Sequence, residues 1–150
     1  MEVNSILKVR PATQQDCWQL DRLITQGHYV HRHLDWRTPL EWIGHPPYFV
    51  LEEDGSIKAV LACPPDPTSI GWVRFFGTDG SISLNKAWDY LWVHVKELLS
   101  PETITKVAIL STDDRFQKIL KENGNFLSRQ FQVPCEPNIM LTLRQLLVLW

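Results

Sequence analysis

Four side chains of the kind that bind metals crowd one stretch: His28, His31, His33 and Asp35. A His-x-His step can clamp a metal from a single strand. No second cluster in the sequence completes a coordination shell, and His45 stands beyond Gly44, so no metal site is expected. Acid–base chemistry is offered by Glu52, Glu53, His45 and His94. Glu52 and Glu53 sit beside a turn, and His94 lies one residue off an apolar stripe, so solvated positions account for them as readily as catalysis does. A third constellation is the run Phe75-Phe76-Gly77-Thr78-Asp79-Gly80-Ser81-Ile82-Ser83. Small residues ahead of a helix let backbone N–H groups approach a phosphate, and the helix N-terminus adds a positive pole. Asp79 opposes an anion there unless it points away. A Gly/Ser turn that only caps a helix explains the same residues.

The elements that must position these groups follow from patterning. Ile6–Arg10 predicts a strand stopped by Pro11, and Thr13 with Asp16 predicts a helix start. Cys17, Leu20, Leu23 and Ile24 recur at helical spacing, with Gly27 as the stop. The aromatic, His-rich segment 28–43 predicts only a short helix after Thr38-Pro39. Tyr48–Glu53 and Ile57–Cys63 read as a hairpin about Asp54-Gly55, and Ile70–Phe76 as a third strand with its exit at Gly77 to Gly80. Leu84, Ala87, Trp88, Leu91, Trp92 and Val95 make the clearest helical stripe, capped by Ser81 or Ser83. Lys106–Leu110 predicts a buried strand, Phe116–Asn123 a helix started by Ser111 or Thr112 and closed by Gly124, and Phe126–Val133 a strand. Residues 134–150 form an apolar tail, extended or helical: the last sheet strand, an intersubunit strand, or a contact with a second domain.

The chain has 150 residues, 44% hydrophobic and 21% charged, which suits one folded domain. Fifteen Lys and Arg against seventeen Asp and Glu leave no cationic excess for nucleic acid. No apolar run reaches the ~18 residues a membrane span needs, and the N-terminus lacks the pattern of a secretory signal. Cys17, Cys63 and Cys135 are far apart and odd in number, which speaks against a disulfide framework and for a reducing cytoplasm. Seven tryptophans are an unusual count, and they call for a Trp-rich core, a ligand groove or a protein interface.

The element order, with Val9-Arg10-Pro11-Ala12-Thr13-Gln14-Gln15-Asp16 at its head, resembles the GCN5-related N-acetyltransferases. The hairpin continuing as Ile57-Lys58-Ala59-Val60-Leu61-Ala62 and the closing strand–helix–Gly124-Asn125-Phe126 strengthen the likeness over about residues 6–133. It implies a mixed α/β fold: a central, twisted, mostly antiparallel sheet with one parallel pair and helices on both faces. The whole chain would be one such domain, or one half of a tandem pair.

The resemblance also implies chemistry. An acetyl group would pass from acetyl-CoA to an amine of a small molecule or peptide. Backbone N–H groups at Phe75, Phe76 and Gly77 would polarise the thioester carbonyl, and the pyrophosphate would sit at Gly80, Ser81, Ile82 and Ser83. Tyr29, Trp36, Trp42 and Tyr48 would line the acceptor pocket. Two departures stand out. Asp79 occupies a position the family's phosphate loop keeps small, and Leu120 falls where the family usually carries the Tyr that protonates the leaving thiolate. These departures, with the apolar tail, leave open a catalytically degenerate binding module, and the tail a homodimer contact.

Overall fold

The computed structural model describes residues 5–66, 69–99, 102, 104, 106–111, 113–123, 126–135 and 139–149, with side chains through Glu122. In chain order the elements are β1 (Leu7–Pro11), α1 (Cys17–Gln26), β2 (Tyr29–Arg32), β3 (Tyr48–Glu53), β4 (Ser56–Ala62), β5 (Ile70–Trp72), β6 (Phe75–Thr78), α2 (Leu84–Leu98), β7 (Lys106–Leu110), α3 (Asp114–Asn123), β8 (Phe126–Cys135) and β9 (Ile139–Leu149). Short 3-10 turns at Gln14–Asp16 and Pro39–Trp42 complete the set.

The Arg-Pro-Ala-Thr stretch has a physical task. Arg10 reaches both oxygens of the Asp16 carboxylate at 2.8 Å and donates from Nε to Glu52 at 2.7 Å. Asp16 also accepts from the Thr13 N–H, so one buried carboxylate ties β1, the helix entry and β3 together. That donor set holds Asp16 below the ordinary carboxylate range, the Arg10 hydrogen bond leading and burial opposing it.

Two sheets share the strands. The first runs β1-β3-β4-β6-β2 and is antiparallel throughout; the second runs β5-β7-β9-β8, with β5 and β7 parallel. The mixed, mostly antiparallel architecture expected from the sequence is present. Apolar residues alternate across the first sheet. Val50, Val60, Ala62 and Phe75 face α1 and the Pro39–Trp42 turn. Phe49, Leu51, Ala59, Leu61 and Phe76 face α2 and α3. Helices therefore cover both faces.

The expected single strand Ile70–Phe76 is corrected. The chain turns at Val73-Arg74, where the Val73 N–H bonds to Ala108 O at 3.0 Å and the Arg74 N–H to Ala62 O at 2.9 Å. Within one residue the backbone changes partner from β7 to β4, so β5 and β6 belong to different sheets. Beyond that point β6 and β7 diverge and a wedge opens between them. Gly77, expected as the strand exit, lies inside β6, because β2 and β4 extend the ladder to Thr78. Segment 28–43 also holds a strand, β2, that its irregular pattern concealed.

Most of the tryptophan question is answered by the core. Trp88 is fully buried, stacks on Trp92 at 5.1 Å and meets Phe76 and Phe116 edge-on. Trp42 is buried on the opposite face, whereas Trp18 and Trp36 are exposed. Trp150 lies outside the described residues, as do Thr112 and the Gly124-Asn125 pair. The tail is extended: β9 pairs with β7 on one side and β8 on the other. No helix among the described residues is long and apolar enough to cross a membrane.

Candidate functional site

Past the Val73-Arg74 bend β6 no longer follows β5 along β7, and a wedge is left between β6 and β7. Here β2 enters it. Tyr29, Val30, His31 and Arg32 pair with Thr78, Gly77, Phe76 and Phe75. With β4 on its other edge, β6 becomes an interior strand, and the N–H groups of Phe75, Phe76 and Gly77 fall within two antiparallel ladders. A thioester carbonyl would reach only those that face β2, and only where β2 gives up that edge. Side chains fix β2 in place: Tyr29 meets Phe76 and Phe116 at 6.1 and 6.2 Å, and His31 lies 5.0 Å from Phe116. What remains of the wedge is a cavity of about 250 Å³ lined by Tyr29, His31, Leu110, Ser111 and Asp113, among others.

The far end of β6 leads into the small-residue loop. Gly80 adopts φ +94°, a left-handed conformation suited to glycine. The Asp79 carboxylate turns back to accept from the Ser81 N–H at 2.9 Å and Ser81 Oγ at 2.6 Å, and lies 3.6 Å from Lys58 Nζ. Its charge is thereby partly neutralised, but the Ser81 N–H is used. Ser83, not Ser81, caps α2 by accepting from the Lys86 N–H. Lys58, Lys86, Ser81, Ile82 and Ser83 share a cavity of about 320 Å³ with Glu53 and Leu7. Lys86 lies in the first turn of α2 and Lys58 in β4, so the cavity is flanked by two cationic side chains.

At the opposite end of β6, Arg74 lies where the strand bends. It is 8% exposed. Its Nη1 donates to Asp35 at 2.9 Å, Nη2 stands 3.7 Å from Asp66, and the guanidinium lies 4.6 Å over the Trp42 ring. Arg37 covers the same ring at 5.0 Å. These groups, with Leu34 and Trp36, wall a cavity of about 600 Å³. Burial pulls Arg74 below its ordinary range, with Asp35 and Asp66 opposing. Burial acts to raise the Asp35 carboxyl, but the Arg37 N–H, the Arg74 charge and the Trp42 indole outweigh it, so Asp35 sits low. Of the four aromatics assigned to the acceptor pocket, Trp36 and Trp42 share this wall. Tyr29 faces the smaller cavity in the wedge. Tyr48 is buried, its hydroxyl donating to Pro39 O at 3.0 Å.

No protein-family model and no curated protein matches the sequence. Solved structures do match in shape. N-acetylglutamate synthase from Neisseria gonorrhoeae, complexed with coenzyme A and N-acetyl-glutamate, superposes with a TM-score of 0.66 at 16% identity, over 96% of this chain and 35% of that one. An apo agmatine N-acetyltransferase gives 0.70 at 11% identity, over 96% and 99%. Diaminobutyrate acetyltransferase from Paenibacillus lautus, with L-2,4-diaminobutyric acid and coenzyme A, gives 0.66 at 12% identity, over 97% and 95%. The chain has the fold of the GCN5-related N-acetyltransferases. It spans about a third of the length of the N-acetylglutamate synthase chains it matches.

Within the acetyltransferase fold the remaining candidates separate. Leu120, at the usual acid's position, is fully buried in the main core with Phe116 and Ile119. Glu52 is held by Arg10, and Glu53 accepts from Ser5 Oγ at 2.6 Å. His94 bonds back to Tyr90 O, and His45 lies against Trp42. The His cluster does not converge: His28 borders Gly80, His31 faces Phe116, and Asp35 pairs with Arg74. Among the described residues, no three His, Cys, Asp or Glu side chains assemble to hold a metal. Buried Cys63 is pushed up to about 12 by burial and offers no thiolate.

Sequence reasoning passed over Arg74 as a pocket residue and considered His33 only as a metal ligand. The sequence placed Arg74 inside a strand, and only the bend turns it into a pocket residue. The His33 N–H bonds to Arg74 O, its ring packs on Trp72 at 4.9 Å, and burial followed by the Arg74 charge lowers its pKa to about 4.

Proposed function

We propose that the chain transfers an acetyl group from acetyl-CoA to the amine of a small molecule or peptide. The observation that carries this reading is the wedge at Val73-Arg74, with an open cavity at its mouth and a lysine-flanked helix start at its far end, in an acetyltransferase fold. Gly80, Ser81, Ile82 and Ser83, with Lys58 and Lys86, take the pyrophosphate. Within Phe75-Phe76-Gly77, the N–H groups that face β2 would polarise the thioester carbonyl once β2 has left the β6 edge, while the alternate ones stay bonded to β4. The acceptor enters at Trp36 and Trp42, its nitrogen attacks the carbonyl carbon, and the thiolate departs. The amine proton passes to solvent, because burial and the Arg74 charge hold His33 neutral. Leu120 supplies none, so the thiolate is protonated from solvent.

One observation favours a second reading. A β2 strand that stays in place closes the β6 edge and leaves a binding module that keeps the Arg74 cavity and performs no transfer. Calorimetric titration of acetyl-CoA and CoA into the purified chain separates the two. Micromolar binding, weakened in Lys86→Gln and followed by thiol release with an amine present, supports transfer. Absence of binding at millimolar ligand rejects it in favour of the module.

A further inference from the structure

We propose that the Arg74 cavity binds a free α-amino acid with an apolar side chain, its carboxylate on Arg74 and its ammonium on Asp66. This deepens the reading of that cavity as the acceptor side and rests on it for the identity of the occupant as substrate, though not for its binding.

The guanidinium supplies the first argument. Arg74 spends Nη1 on Asp35. The side-on edge formed by Nε and Nη2 is the planar fork that matches the two oxygens of a carboxylate. Among the described residues Nε is buried without a hydrogen-bond partner, and Nη2 stands 3.7 Å from Asp66. A buried N–H without an acceptor is a standing cost, and an incoming carboxylate removes it. Asp35 and the Trp42 ring hold the guanidinium while that edge stays underused.

Charge balance supplies the second. The wall carries Arg37 and Arg74 against Asp35 and Asp66, two of each sign. A simple anion would strand Asp66 beside it, and a simple cation would leave the Arg74 fork unfilled. A zwitterion answers both: its carboxylate displaces Asp66 from Arg74, and the released Asp66, whose side chain is 60% exposed, meets the ammonium. The third argument is the rim. Leu34 and Trp36 line the cavity and are 69% and 98% exposed, so they offer apolar surface to whatever side chain projects from the charged floor.

The test uses a matched trio on the full chain without acetyl-CoA, read by indole fluorescence and by NMR of the tryptophan side-chain N–H signals. The probes are L-leucine, its decarboxylated analogue 3-methylbutan-1-amine and its deaminated analogue 4-methylpentanoate. L-Leucine is expected to bind about tenfold more tightly than either analogue, one charge-assisted contact being lost in each. Asp66→Asn, at an exposed position, should abolish the preference for leucine over 4-methylpentanoate and tighten the latter, because its competitor for Arg74 is gone. Arg74→Lys, checked for folding by its unfolding transition, should weaken both carboxylates and leave the amine unchanged. Equal binding of leucine and the amine, no binding of leucine, or an Asp66→Asn variant that keeps the wild-type order would overturn the proposal. Leucine binding without acetyl-CoA binding keeps this inference and rejects acetyl transfer. Acetyl-CoA binding without leucine binding does the reverse.

Discussion

Acidifying the solution should loosen β2 before it disturbs the rest of the fold. His31 is 7% exposed, with its ring against Phe116 and Nε2 3.3 Å from Val73 O. Burial lowers its pKa from 6.5 to about 4; the Val73 hydrogen bond and Asp113 oppose this, and His33 adds to it. The sign follows from proton linkage. The unfolded chain takes up the proton near 6.5 and the folded chain only near 4, so the stabilisation is complete above 6.5 and is lost as pH falls towards 4. At about 1.4 kcal/mol per unit the whole effect is roughly 3 kcal/mol, of which about 2 kcal/mol falls between pH 7 and pH 5. His33, half-buried and also lowered to about 4, acts in the same direction with a smaller share. The stabilisation from the depressed carboxyls Asp16, Asp35 and Asp113 is present above their ordinary value of 3.8 and is lost only below it, so it adds no slope between pH 7 and pH 5. Urea unfolding followed by tryptophan fluorescence at pH 7, 6 and 5 reads the slope, and His31→Phe should remove most of it. Stability that stays flat over this range, or a His31→Phe variant that retains the full slope, would refute the reasoning.

Three further substitutions probe the frame. Trp88→Ala empties the centre of the aromatic cluster and should cost about 3–5 kcal/mol in denaturant unfolding. Gly80→Ala meets a φ of +94° and a Cβ contact of 2.8 Å with His28 Cβ, so a loss of about 1–3 kcal/mol is expected; adding His28→Gly should recover the contact part only, as a double-mutant cycle reads it. Asp16→Asn leaves Arg10 with one carboxylate instead of two and should cost about 2 kcal/mol by chemical denaturation, more than Glu52→Gln, whose partner keeps Asp16.

The sequence was most legible where local chemistry and burial agree. The Asp54-Gly55 hairpin, the α2 stripe and the Thr38-Pro39 turn were each written by residues within a few positions of one another. What escaped was non-local. Tyr29–Arg32 has no clean alternation, and it is a strand because β6 offers an edge forty-odd residues later. The same ladder bears on the candidate site, since the β6 N–H groups that face β2 can serve a ligand or β2 but not both at once. The Val73-Arg74 bend was equally invisible, because it arises from a competition between β4 and β7 for one strand's backbone. With it went Arg74, an apparently ordinary strand residue that the bend aims into a cavity.

The position of β9 bears on how the molecule is built. The first sheet is complete once the chain has reached Thr78, using strands from Leu7 onward. The second cannot close in that order, because β7 and β8 are not paired with each other and β9, made after both, lies between them. Until residues 139–149 arrive, β7 keeps one unpaired edge and β8 has no neighbour, while α3 already connects them. Topology thus divides the two sheets: the strands of the first are all present by Thr78, although one of its faces still waits for α2 and α3, whereas the second is joined only by its last strand.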